Sequence, residues 1–262
     1  MKGRKTGSKL ISLILSLVMI VTLLPATVMA APATDSSTSA NVEKVLSYAA
    51  QMRDNNTKEN GDYASGGFTW DTEGKEDSWR YFNGLMLDAF LMTGDQENIA
   101  YAEQFYDANI ADDGIISDYA EGELDSVEAA RGLFDLLDSQ NDEKYKKAIQ
   151  YVYTQLEKQT SYEDCGGNYL HKDSWKDWNI GLDGLYMAQP FLMECANAIE
   201  AGTLTLVDKE NNTVAAADIY QAVYNRMEWV ATTMKDDATG LYHHGWNVEN
   251  ENGNGHFWSR SL

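Results

Sequence analysis

From residue 41 onward, apolar residues return every three or four positions, the period of a helix with one dry face, and the stretches between carry the Gly, Asn and Asp of turns. The pattern predicts an amphipathic helix over 41–54, a second from Asp77 to a stop at Gly94, and a third over 96–109 with Ile99, Ala102, Phe105 and Tyr106 on one face. A fourth runs from Leu124 to Ser139 and a fifth from Asp142 to Gln159. Another opens at Asp183, and a last full one covers 215–235. GLYHHGWN then reads as a loop, and Phe257 to Leu262 as the beginning of an eighth helix. Residues 203–216, TLTLVDKENNTVAA, alternate apolar and polar positions around a polar turn and predict a short hairpin between helices. Asp208, Glu210 and Asn212 are spaced like the start of a calcium loop, but the Gly at its sixth position and the acid at its twelfth are missing. The calcium reading fails on that count.

Two helices differ in how much of their surface is apolar. In the fifth, Tyr145, Ala148, Ile149, Val152 and Leu156 oppose Lys146, Lys147, Gln150, Thr154 and Lys158, so one face is dry and one wet. The helix from Asp183 carries Leu185, Tyr186, Met187, Phe191, Leu192, Cys195, Ala196 and Ile199, and leaves Gln189, Glu194, Asn197 and Glu200 as a narrow polar stripe. A helix apolar nearly all round is one that other helices surround. A weak internal repeat supports alternating buried and half-buried helices: Leu87, Leu91, Ala102 and Phe105 recur 46 positions later as Leu133, Leu137, Ala148 and Tyr151. Helical pairs of that length build open solenoids or closed toroids, and the pattern alone is compatible with either.

The first thirty residues stand apart. Lys2, Arg4, Lys5 and Lys9 precede an apolar run from Leu10 to Leu24, and Val28-Met29-Ala30 before Ala31 fits a small-residue cleavage site. The run falls short of the roughly 20 residues needed to span a bilayer. Residues 1–30 therefore read as a secretory signal peptide and 31–40 as a linker, with one domain over 41–262 and an exported, secreted or cell-surface, location. Losing the four basic residues of the signal takes the formal charge from −21 to −25. So acidic a surface repels nucleic acid and anionic lipid, which excludes both as expected partners once the signal is removed. An anionic substrate would need a local cationic or hydrogen-bonding pocket. Export permits Cys165 and Cys195 to pair, but a buried thiol at Cys195 is equally a small apolar filler.

Two carboxylates stand out by position. Asp125 begins the fourth helix as Asp183 begins the later one, and in an alternating array both starts fall at the same end. Each alone is what a helix cap looks like. Two facing one pocket would shift each other's pKa and keep one protonated as an acid. His171, Trp175, Trp178 and Tyr186 crowd the same stretch with more aromatic and titratable chemistry than a cap needs. His243 and His244 lie adjacent in a loop with no acidic partner at ligand spacing, so no metal is expected there.

The run LDGLYMAQPFL (182–192), with GNYLHK before it and GLYHHGWN and FWSRSL after it, resembles the unsaturated rhamnogalacturonyl hydrolases and related unsaturated glucuronyl hydrolases, glycoside hydrolase families 105 and 88. The matching motifs extend from about Trp79 to the last residue. The resemblance implies an all-α (α/α)6 barrel with its active site at one mouth, and no cofactor. It assigns Asp183 as general acid and Asp125 as a second essential carboxylate, with Tyr81, His171, Met187, His244 and Arg260 as substrate contacts. The reaction it implies is hydration of the C4=C5 double bond of an unsaturated uronic acid, releasing the aglycone sugar; an unsaturated rhamnogalacturonan disaccharide is the expected substrate.

The chain departs from the family pattern in two places. Relatives often carry Trp two residues before the acid, where this chain has Gly181, so the aromatic wall is expected from Trp178 or not at all. The chain also stops inside FWSRSL, and seven helices with the start of an eighth are too few for twelve, so the sequence reads as the N-terminal part of the barrel. Two other readings stay open on the residues alone: a conventional inverting glycosidase with Asp125 and Asp183 as acid and base, and a non-catalytic helical repeat that binds glycan or protein.

Overall fold

A computed structural model describes residues 36–55, 78–175 and 177–257. The expected signal peptide, the first half of the expected linker, Arg260 and all but the first residue of the expected eighth helix lie outside them. The described residues up to Val45 belong to one compact unit and those from Leu46 onward to a second. Among the described residues no helix is long and apolar enough to cross a membrane.

Helix α1 spans Ser36–Asn55, taking in the last five positions of the expected linker. In the second unit its final turn is tied down by Arg53, which pairs with Asp95 at 3.3 Å and Glu97 at 2.7 Å. α2 (Tyr81–Leu91) and α3 (Gln96–Asn109) form a helical pair. Gly94 turns the chain between them with φ +66, a left-handed conformation that favours glycine. Asp95 then caps α3 by accepting from the backbone N–H of Glu97 and Asn98. α2 lies so close to the next element that a Cβ on Gly84 would come within 2.6 Å of the Ala129 Cα.

The expected fourth helix is broken. One α-turn, α4 (Asp125–Glu128), gives way to a 3₁₀ helix over Arg131–Leu136. The indole of Trp79, itself buried, donates to the carbonyl of Ser126 at 2.8 Å. That carbonyl would accept from Ala130 in an α-helix, and the Ala130 N–H instead bonds Val127 at 3.0 Å, the tighter 3₁₀ spacing.

α5 (Asp142–Lys158) matches its expected span, with acids in its first turn and Lys158 in its last, the arrangement the helix dipole favours. α6 (Leu182–Glu200) packs against α4, the 3₁₀ helix, α5 and α7 (Ala216–Thr233). Its polar stripe is displaced from the sequence reading: Gln189 is buried, and Tyr186, expected inside, is 49% exposed. The core joins Phe90, Phe105, Tyr106, Leu133, Tyr145 and Phe191, all fully buried. Both cysteines are buried and free. The expected hairpin at 203–216 is a turn closed by the Val207–Thr213 bridge.

Short strands do the positioning. β1 (Ser161–Tyr162) pairs with β2 (Asn168–Tyr169), and a three-stranded antiparallel sheet joins β3 (Ile180–Gly181), β4 (Gly245–Asn247) and β5 (Asn252–Gly253). The segment GLYHHGWN, expected as loop, thus supplies the central strand of that sheet. Gly181 pairs with Gly245, which sets His244 beside the first turn of α6.

Candidate active site

Neither carboxylate singled out from the sequence is a cap. The N-cap of α6 is Gly181, two residues before Asp183, and that of α4 is Leu124. Their side chains serve other neighbours.

Asp125 is built into a backbone clamp. The N–H of Leu124 donates to the carbonyl of His171 at 3.0 Å, and Glu123 bridges Lys172, so the segments 123–125 and 171–172 lie side by side. The clamp brings Nε2 of His171 to 3.3 Å from one Asp125 oxygen, and the Lys172 ammonium donates to the other. Burial pushes the Asp125 carboxyl up, but the hydrogen bonds and charges of His171 and Lys172 more than offset this and hold it below the ordinary value. Asp125 is therefore an ionised acceptor beside the Lys172 ammonium, and its partners do not include Asp183. The expected carboxylate pair sharing one proton is not formed.

Asp183 sits in the first turn of α6, where the β3–β4 pairing and a hydrogen bond from the Leu182 N–H to the His244 carbonyl at 2.9 Å place Nε2 of His244 at 4.0 Å from Oδ2 of Asp183. With Tyr81, Leu85, Tyr186 and Met187, Asp183 lines a cavity of about 210 Å³. α2 contributes Tyr81 and Leu85, and α6 the rest. A larger groove of about 620 Å³ between α6 and α7 shares Tyr186 but has no titratable acid, base or cation in its lining besides tyrosines. The smaller cavity is the one with chemistry.

His171 connects the two halves of the site. Its ring stacks on Trp175 at 4.2 Å, and a Cβ on Gly184 would lie 2.6 Å from its Nδ1. The ring is buried, so it acts on the site through Asp125 and Trp175 rather than as a surface that a sugar meets directly. Trp175 also fills the space above Gly181, where an added Cβ would approach its ring to 3.0 Å. The aromatic mass missing at position 181 is thus supplied by Trp175, not by the expected Trp178. Trp175 reaches on to His244, ring centres 6.5 Å apart.

Of the residues singled out from the sequence, the structure gathers Tyr81, Asp183 and Met187 around one cavity, places His244 at its acid and sets His171 behind Asp125. Arg260 lies outside the described residues. Sequence reasoning missed Lys172 as the cation on Asp125, although it stands next to His171 in GNYLHK, and missed Trp175 as the stacking partner. It also missed an ionic cluster behind Tyr186: Arg131 bonds the buried Glu128 at 2.9 Å, reaches Asp88 at 3.8 Å, and lies 4.9 Å from the Tyr186 ring centre.

The model of Glycosyl Hydrolase Family 88 matches residues 48–262. A solved structure of a glycoside hydrolase from family 105 of C. acetobutylicum ATCC 824 is 23% identical with a TM-score of 0.57, covering 71% of this chain and 50% of its own. The chain therefore spans about half the length of that structure. The fold is of the all-α (α/α)6-barrel type, of which the described residues supply seven α-helices and two 3₁₀ helices.

Proposed function

The chain belongs to glycosyl hydrolase family 88, and from that premise we propose that it hydrolyses unsaturated uronyl oligosaccharides, with an unsaturated rhamnogalacturonan disaccharide as substrate. The observation that carries this reading is a carboxyl group, Asp183, in the wall of a cavity of about 210 Å³ lined otherwise by Tyr81, Leu85, Tyr186 and Met187. Protonated Asp183 donates its proton to C4 of the C4=C5 double bond, and the positive charge left at C5 is shared with the ring oxygen. Water adds at C5 and returns a proton to the Asp183 carboxylate. The resulting hemiketal opens and expels the aglycone sugar, so a single acid/base residue suffices where displacement at the anomeric carbon uses two. Asp125, ionised and held by His171 and Lys172, is a fixed acceptor for a sugar hydroxyl. Arg260 and a protonated His244 are the groups we assign to the substrate carboxylate.

The test is to incubate the purified protein with oligosaccharides freshly cut by a polysaccharide lyase and follow the ultraviolet absorbance of the conjugated double bond. Decay of the absorbance with release of the aglycone is expected. Cleavage of saturated sugars with the chromophore intact would replace this reading with the inverting glycosidase, and binding without turnover of either substrate would replace it with a glycan-binding repeat. Export through residues 1–30 belongs to the same proposal. A mature N-terminus at Ala31, read by mass spectrometry of protein recovered outside the cells, is the result expected.

A further inference from the structure

Tyr186 is the side chain common to the Asp183 cavity and the larger groove beside it. It projects from a turn of α6 where Pro190, four residues on, has no N–H to return to the Tyr186 carbonyl. The ring itself is half exposed. What lies against it is Arg131, whose guanidinium carbon is 4.9 Å from the ring centre. The guanidinium is in turn clamped. One of its nitrogens bonds both oxygens of Glu128, at 2.9 and 3.1 Å, and lies 3.8 Å from Asp88. The Glu128 carboxylate is fully buried, and the Gly132 backbone closes the space beside Asp88, leaving no room there for a Cβ. Two carboxylates from α2 and α4 therefore converge on one cation from the 3₁₀ helix, and that cation carries an aromatic ring on α6.

We propose that Arg131 is a positioning residue: anchored by Glu128 and Asp88, it holds the ring of Tyr186 as a fixed wall of the Asp183 cavity and so sets how tightly a sugar is bound there. The inference rests on the hydrolase reading for its substrate and on the geometry alone for the anchoring. A flat guanidinium that lies over a ring and also hydrogen-bonds that side chain does this where the point charge of an ammonium does not.

The test labels the protein with 3-fluorotyrosine and identifies the fluorine resonance of position 186 by its loss in Tyr186→Phe. Two variants are compared with the parent. Arg131→Lys keeps the charge beside Glu128 and loses the flat face; Arg131→Met combined with Glu128→Gln and Asp88→Asn removes all three charges, so that no carboxylate of the cluster is left unpaired if one variant fails to fold. In each the resonance of Tyr186 is expected to shift and broaden, and KM for the lyase-cut oligosaccharide to rise roughly three- to tenfold with kcat within about twofold, the signature of lost uniform binding. A resonance with the parent's position and width in the folded variants overturns the anchoring. A moved resonance with unchanged KM overturns the role in substrate binding. Should the parent itself not consume the oligosaccharide, the hydrolase reading fails while the fluorine spectra still decide what Arg131 does.

Discussion

Nε2 of His244 stands 4.0 Å from Oδ2 of Asp183, brought there by the pairing of Gly245 with Gly181. The separation is too long for a direct hydrogen bond and within Coulombic reach when the imidazole is protonated. An oxygen placed to one side of the line joining them is within hydrogen-bond reach of both groups. In Asp183→Asn, which keeps shape and loses the proton, turnover of unsaturated oligosaccharide is expected to fall by about 10²–10⁴-fold with the fold intact. Stopped assays together with circular dichroism check this, and retention of full turnover would reassign the acid. His244→Ala is expected to act on KM more than on kcat.

Lys172 and His171 hold the Asp125 carboxyl below its ordinary value, so the fold favours the ionised form. The sign follows: the stabilisation is fully present above the unfolded value near 3.8 and is lost as pH falls through the lower folded one. Lys172→Gln is expected to destabilise by about 1–2 kcal/mol at neutral pH. It is also expected to move the acid limb of the kcat/KM profile to higher pH. Chemical unfolding and a pH–rate series measure the two effects separately.

The cluster behind Tyr186 titrates in the opposite sense. Burial pushes Glu128 up to about 7 against the pull of Arg131, with the charge of Asp88 adding to the rise. Asp88 rises to about 6, by burial first, opposed by Arg131 and helped by Asp135. Because both folded values exceed the unfolded ones near 4.5 and 3.8, the native state binds protons more tightly. Stability is fully present below the unfolded values and falls as pH rises through about 7. A loss on the order of 2–3 kcal/mol between pH 5 and 8 is expected, and Glu128→Gln should flatten that slope. Urea midpoints across the range provide the check.

Gly184 is where α6 touches the imidazole that holds Asp125. Alanine there would gain helix propensity of up to about 1 kcal/mol. Its Cβ, however, would meet Nδ1 of His171 at 2.6 Å and Cδ1 of Leu124 at 2.7 Å. Both are packed side chains with little room to yield, and His171 is pinned by Trp175. Overpacking is expected to dominate, with a net loss of about 1–3 kcal/mol and a weakened His171–Asp125 contact. A thermal midpoint at or above the parent's would show that the imidazole moves aside freely.

Much of the fold was legible because a helix is written locally. The apolar spacing through Tyr145, Ala148, Ile149 and Val152, and that through Ile99, Ala102, Phe105 and Tyr106, predict α5 and α3 almost to the residue. The reading erred where a distant group intervened: the indole of Trp79, bonded to the Ser126 carbonyl, breaks a run whose own periodicity is helical throughout. At the site, Asp183, Tyr81 and Met187 were identified by family resemblance, and the cavity that joins them is a property of how α2 lies against α6.

What the sequence by itself determined is the set of helices and the prominence of Asp183 and Asp125 at the starts of two of them. Backbone hydrogen bonds four residues apart and a 3.6-residue period depend on neighbours in the chain, and neighbours are what a sequence displays. The tertiary structure decided the partners: Lys172 and His171 for Asp125, His244 for Asp183, Trp175 in the space above Gly181, and Arg131 under Tyr186. Except for Trp175 and Gly181, which are near in sequence, these contacts depend on backbone pairings and helix crossings between segments far apart in the chain, where a shift of one residue in strand register sends a side chain to the opposite face.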